Sequence, residues 1–141
     1  MAEQNDTEAQ NALAQLQYVK NAYTQRYELL NSQLTALGIA HESAIRGLEL
    51  VSNASNINSS EILLSTDDAT YITARVGKVE SILTYIGGNY LVEKPVQEAK
   101  TFLEQNLKEN ESIRSKLVTE MQGVERELFN ISYRIAALTR Q

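Results

Sequence analysis

Residues 71–94 read YITARVGKVESILTYIGGNYLVEK. Three runs rich in β-branched and aromatic residues stand out: Tyr71-Ile72-Thr73-Ala74-Arg75-Val76, Ser81-Ile82-Leu83-Thr84-Tyr85-Ile86 and Tyr90-Leu91-Val92. That composition marks strands. Gly87-Gly88-Asn89 separates the last two, and these residues tolerate the positive φ of a tight hairpin turn. Upstream, Ile62-Leu63-Leu64 makes a fourth run, joined to Tyr71 through the turn-like Thr66-Asp67-Asp68-Ala69. Residues 57–94 therefore read as two β-hairpins linked by Gly77-Lys78-Val79-Glu80.

On both sides the period changes from two to 3.5. The N-terminal segment, 8–52, places Leu13, Leu16, Lys20, Tyr23, Tyr27, Leu30, Leu34, Leu37, His41, Ala44, Leu48 and Val51 at unbroken alternating steps of three and four. Most of these are apolar or aromatic, and their neighbours are mainly Gln, Asn, Glu, Ser and Thr. A narrow stripe sustained in this way is a coiled-coil seam. The C-terminal segment, 96–140, repeats it with Leu103, Leu107, Asn110, Arg114, Leu117, Met121, Val124, Leu128, Ile131, Ile135 and Leu138. Asn5 with Glu8 is expected to cap the first helix. Pro95 is expected at the first position of the second helix.

The two seams match when the helices run antiparallel and partners sum to 151. Leu13 then meets Leu138, Leu30 meets Met121 and Leu48 meets Leu103. His41 meets Asn110, a polar layer of the kind that fixes register. Lys20 faces Ile131 with its stem along the seam. Leu37 faces Arg114, whose layer Ile113 is expected to fill instead. At about 1.5 Å per residue the paired rods are roughly 57 Å long.

Composition narrows the function. The 141 residues carry 13 Lys plus Arg against 18 Asp plus Glu, a net charge of -5. With no basic block, nucleic acid and anionic membranes are poor partners. No run of 18 apolar residues is present, so no transmembrane helix is expected, and the polar N-terminus is not expected to be a signal peptide. The expected location is cytoplasmic. Absence of cysteine removes disulfides and thiolate metal sites. A single histidine with no cysteine cannot supply a nucleophile, its base and an orienting group, so no enzyme, cofactor or metal is expected. No Gly-x-x-x-x-Gly-Lys-Ser/Thr follows Gly87-Gly88, so this is not a phosphate loop. Asp67-Asp68 is an exposed turn with no further carboxylate nearby to complete a cation site.

The expected fold class is α+β: a long antiparallel two-helix coiled coil joined by two β-hairpins, one subunit over 1–141. Four short strands have no second layer of their own, so their edges and apolar faces require other chains. The hairpins are expected to oligomerise into a β-barrel body, through Ile62, Leu64, Tyr71, Ile72, Ala74, Val76, Ile82, Thr84, Ile86, Tyr90 and Val92. The helical hairpin would project from that body.

This helix–strand–helix plan resembles prefoldin, and its two hairpins resemble the alpha class of subunit. Ile86-Gly87-Gly88-Asn89-Tyr90-Leu91-Val92-Glu93-Lys94, followed by Glu98-Ala99, is similar to the family's Gly-x-Gly-Tyr-x-Val-Glu-Lys signature. Asn89 departs from the usual glycine. The resemblance implies a hetero-hexamer of two alpha-class and four beta-class subunits. It also implies ATP-independent capture of unfolded client proteins at the coiled-coil tips and delivery to a group II chaperonin. The tip, where both termini meet, holds Leu13, Leu16, Tyr18, Ile131, Tyr133, Ile135 and Leu138, which fraying turns would offer to apolar clients. The helices alone are equally compatible with a structural adaptor that tethers two specific proteins.

Overall fold

The computed structural model describes residues 1–140. Helix α1 spans Ala2–Ser52, followed by strands β1 (Glu61–Ser65), β2 (Tyr71–Arg75), β3 (Ser81–Gly87) and β4 (Tyr90–Pro95), then helix α2 over Val96–Thr139. Two compact units form among the described residues: 1–38 with 111–140, and 39–110.

In the first unit the two helices pack antiparallel. Leu16 lines one groove with Leu138, and farther along Arg26 donates to the Glu120 carboxylate. Leu30 is wholly buried, and Val124 and Ile131 are nearly so. Lys20 is half-buried in the same seam. In the second unit Gly47 sits against Leu103, where an added Cβ would lie 3.3 Å from a Leu103 methyl. These partners lie close to the register expected from the sequence. Every α1 seam position from Leu13 to Val51 is buried or half-buried. The α2 seam is likewise shielded except at Arg114. Ile113 does not replace it, being 46% exposed. One residue off the seam is a rotation of about 100°, which carries its side chain to water, and the Arg114 guanidinium stays hydrated by its own preference. His41 and Asn110 are both half-buried, and no hydrogen bond joins them among the described residues.

Both helix starts differ from expectation. α1 begins at Ala2, with the Asn5 amide already bonded to the Met1 carbonyl. Asn5 is therefore inside the helix and is not its cap. The polar first turns hold many good helix formers, which extend a helix without any apolar signal. Pro95 closes β4, and Val96 is the first helical residue. The Asn53 amide and side chain both bond the Glu49 carbonyl where α1 ends.

The strands pair as two antiparallel hairpins, β1–β2 and β3–β4. Ile62 opposes Ala74 and Leu64 opposes Ile72. In the second hairpin Ile82 opposes Lys94, Thr84 opposes Val92 and Tyr85 opposes Leu91. A register shift between Tyr85 and Gly87 leaves Ile86 as the extra residue of a bulge. Gly88 and Asn89 form the two-residue turn, with φ of 58° and 63°. Positive φ at both central positions is the type I′ geometry, and Asn89 serves where glycine is the alternative. Gly88→Ala is expected to lower hairpin stability by about 1 kcal/mol, since its φ is strained for any Cβ; thermal unfolding of the variant checks this.

Candidate functional site

The β1–β2 turn is fixed by one carboxylate. Asp67 Oδ1 accepts from the Ala69 amide at 2.8 Å, the Thr70 amide at 2.6 Å and the Thr70 hydroxyl at 2.7 Å. The Thr70 hydroxyl, then the two amides, hold its carboxyl below the ordinary aspartate value. This oxygen caps its own loop. Among the described residues no group of three or more His, Cys, Asp or Glu side chains is placed to hold a metal.

The hairpins carry an uneven distribution of apolar surface. Within β3–β4, Ile82 is half-buried and Thr84 is buried, so that face turns inward. The Thr84 hydroxyl has no hydrogen-bond partner among the described residues. The opposite face presents Leu83, Tyr85 and Leu91, all mostly exposed. In β1–β2, Ile62, Ala74 and the following Val76 are half-buried, while Leu63, Leu64, Tyr71 and Ile72 are exposed. Ile86, Tyr90 and Val92 are exposed as well. The expected assembly set thus divides. Leu64, Tyr71, Ile72, Ile86, Tyr90 and Val92 lie open, whereas Ile62, Ala74, Val76, Ile82 and Thr84 are covered by their own unit. Leu63, Leu83, Tyr85 and Leu91 were not expected from the sequence. Strict alternation assigns one apolar face per strand, and here both faces are apolar. The signal available was the unbroken run Ile62-Leu63-Leu64, which has no polar alternate.

Around these hairpins a few polar contacts fix the second unit. Asn58 Oδ1 accepts from the Val79 amide at 2.7 Å, tying the segment after α1 to the inter-hairpin link. Ser81 Oγ bonds a Glu93 carboxylate oxygen across the β3–β4 pair at 2.5 Å. The Lys94 ammonium lies 5.2 Å from the Phe102 ring centre, within cation–π range.

The tip residues also divide. Leu13, Leu16, Ile135 and Leu138 are half-buried in the seam, and Ile131 is buried. Tyr18 and Tyr133 face solvent, 78% and 72% exposed. Leu16, Tyr133 and Leu138 come together in an open groove of about 470 Å³ between the two helices of the first unit. Its other walls are Ala12, Gln15, Val19, Arg134 and Ala137. Sequence reasoning did not find Val19, Arg134 and Ala137, because they lie beside the seam and join only when the helices are paired. Phe129, one turn before Tyr133 and 72% exposed, adds aromatic surface on α2.

Among the described residues no helix is long and apolar enough to cross a membrane. Residues 23–141 match the family model described as Prefoldin subunit. The chain is 28% identical over 127 residues to the prefoldin subunit alpha of Methanocorpusculum labreanum, covering 89% of this chain and 86% of that protein. It is 27% identical over 97 residues to human prefoldin subunit 5, covering 67% of this chain and 62% of the human protein. The filamentous PFD of Methanocaldococcus jannaschii, solved by cryo-electron microscopy, shares the fold with a TM-score of 0.65 at 16% identity, over 81% of this chain and 95% of that one. Two long helices around paired hairpins, with a family match over most of the sequence, place this chain in the prefoldin subunit family and in its alpha class, a membership that implies a chaperone-type function.

Proposed function

We propose that this chain is one subunit of an ATP-independent holdase. Its hairpins join a shared β-barrel body with beta-class partners, as two alpha and four beta chains. Its distal helix ends hold non-native proteins for transfer to a group II chaperonin. The observation that carries the assembly half is the solvent exposure of Leu63, Leu64, Ile72, Leu83, Tyr85 and Leu91 on strands with no covering layer. The capture half is supported by the groove near both helix ends, with exposed Tyr133 in its lining and Tyr18 and Phe129 exposed elsewhere on the same two helices. Ile131 and the half-buried seam residues contribute when the terminal turns open. Each groove is small, so useful affinity comes from several tips acting on one chain through effective concentration. No nucleotide is needed, because release follows from competition by the receiving chaperonin.

Truncation tests this reading. The chain lacking residues 2–19 and 132–141, co-assembled with a beta-class subunit, is expected to keep the subunit stoichiometry of the full complex. It is expected to lose most of its suppression of aggregation of chemically denatured proteins. Undiminished suppression of several unrelated substrates would reject capture at the tips. If the full-length complex protects no substrate at all, the adaptor reading takes its place.

A further inference from the structure

One band of the first unit carries a charge opposite to that of the whole chain. From Ala9 to Tyr27 there is no Asp or Glu, and from Leu128 to Arg140 there is none either. The same two stretches hold Lys20, Arg26, Arg134 and Arg140. They face each other in the antiparallel pair, and they contain the whole groove lining. Arg26 is matched by Glu120. Arg134 lies in the groove wall itself, with no carboxylate partner among the described residues. The nearest carboxylates along the chain, Glu8 and Glu127, fall outside the band, and Glu3 and Asp6 lie farther still toward the N-terminus. An apolar slot with a cationic wall thus sits in a chain whose net charge is -5. Elsewhere carboxylates outnumber the bases, so the local excess is not a consequence of composition.

A groove of this kind discriminates among apolar segments by the charges beside them. Apolar contact with Leu16, Val19 and Leu138 supplies affinity for any hydrophobic side chain. A carboxylate next to that side chain gains from Arg134, while a lysine there is repelled. We infer that this groove prefers client segments in which apolar residues are flanked by Asp or Glu. The inference rests on the capture reading above and adds the chemical class of segment captured.

Three short fluorescent peptides test it on the full chain in its assembled complex. They share one Leu-rich apolar core and differ only in flanks of Glu, Gln or Lys. The Glu peptide is expected to bind about three- to fivefold more tightly than the Gln peptide at low salt, and the Lys peptide more weakly by a similar factor. The spread should shrink at high salt as the charges are screened. Arg134→Glu is expected to reverse the order. Tyr133→Ser, an exposed groove position whose loss leaves the seam intact, should weaken all three. Equal binding of the three peptides, still weakened by Tyr133→Ser, overturns the charge preference and leaves capture standing. A Glu preference unchanged by both variants places the binding elsewhere and overturns the site. Binding of none of the three, by a complex that also fails to protect denatured protein, removes the capture reading itself. Binding of none by a complex that does protect overturns the groove as the place of capture.

Discussion

Leu83→Asp with Tyr85→Asp is expected to convert the assembled complex into separate chains. Both residues lie on the outward face of β3, opposite the face that holds buried Thr84. Both are mostly exposed and meet their own hairpin chiefly through their cross-strand partners Glu93 and Leu91, so secondary structure is expected to survive. Transfer of an apolar side chain of this size from water into an interface contributes about 1.5–3 kcal/mol. Placing an unpaired carboxylate in that interface instead adds a desolvation cost of at least comparable size. Two such changes on each chain exceed what a small strand interface can tolerate. Size-exclusion chromatography with light scattering reads the result as loss of the high-mass peak, with far-UV circular dichroism retained. Ile82→Ala is the control. Ile82 is on the inward face, half-buried, so its loss lowers subunit stability first. If the Asp pair leaves the complex intact while inward substitutions break it, the assembly face has been taken from the wrong side of the hairpin.

What the sequence made legible follows from how local each signal is. A two-helix seam depends on a single stripe of period 3.5. Leu13 through Val51 could therefore be read one residue at a time, and all of them are shielded from solvent. The register was also legible, since one offset aligns both stripes from end to end; Gly47 beside Leu103 and Leu16 beside Leu138 lie close to it. The β3–β4 turn was fixed by Gly87-Gly88-Asn89, where three consecutive residues have positive φ.

Features that depend on offset or on missing neighbours were not legible. Leu63, Leu83 and Leu91 fall outside the assembly set read from the sequence, and nothing local says which apolar face of a strand stays open. Arg134 and Val19 line one groove across the helix pair only because each lies just beside its seam. Asn5 has the composition of a cap but not its position, since good helix formers carry α1 back to Ala2 without an apolar stripe. Arg114 fits the stripe by spacing and fails it by chemistry. Its charge is better served by water than by the layer opposite Leu37.

Leu30 and Leu29 are adjacent in α1 and identical in chemistry, yet they should respond very differently to the same truncation. Leu30 has no exposed surface, while Leu29 is 48% exposed. Leu30→Ala removes three buried carbons from the seam, and two paired helices have little freedom to collapse onto the gap. The expected loss is about 3–5 kcal/mol, the transfer free energy plus the cavity left behind. Leu29→Ala exchanges one good helix former for another on a water-facing flank and is expected to stay within about 0.5 kcal/mol of the parent. Thermal unfolding of the assembled protein, followed at 222 nm, separates the two. The difference reaches function because the groove exists only while residues 12–19 and 133–138 are held together, and Leu30 is the most deeply buried side chain of the pairing that holds them. Leu30→Ala should therefore weaken capture of denatured protein at temperatures where the hairpin body remains assembled, and Leu29→Ala should not. Equal effects from both positions would mean that α1 does not meet α2 along this stripe, and the antiparallel pairing of the first unit would have to be redrawn.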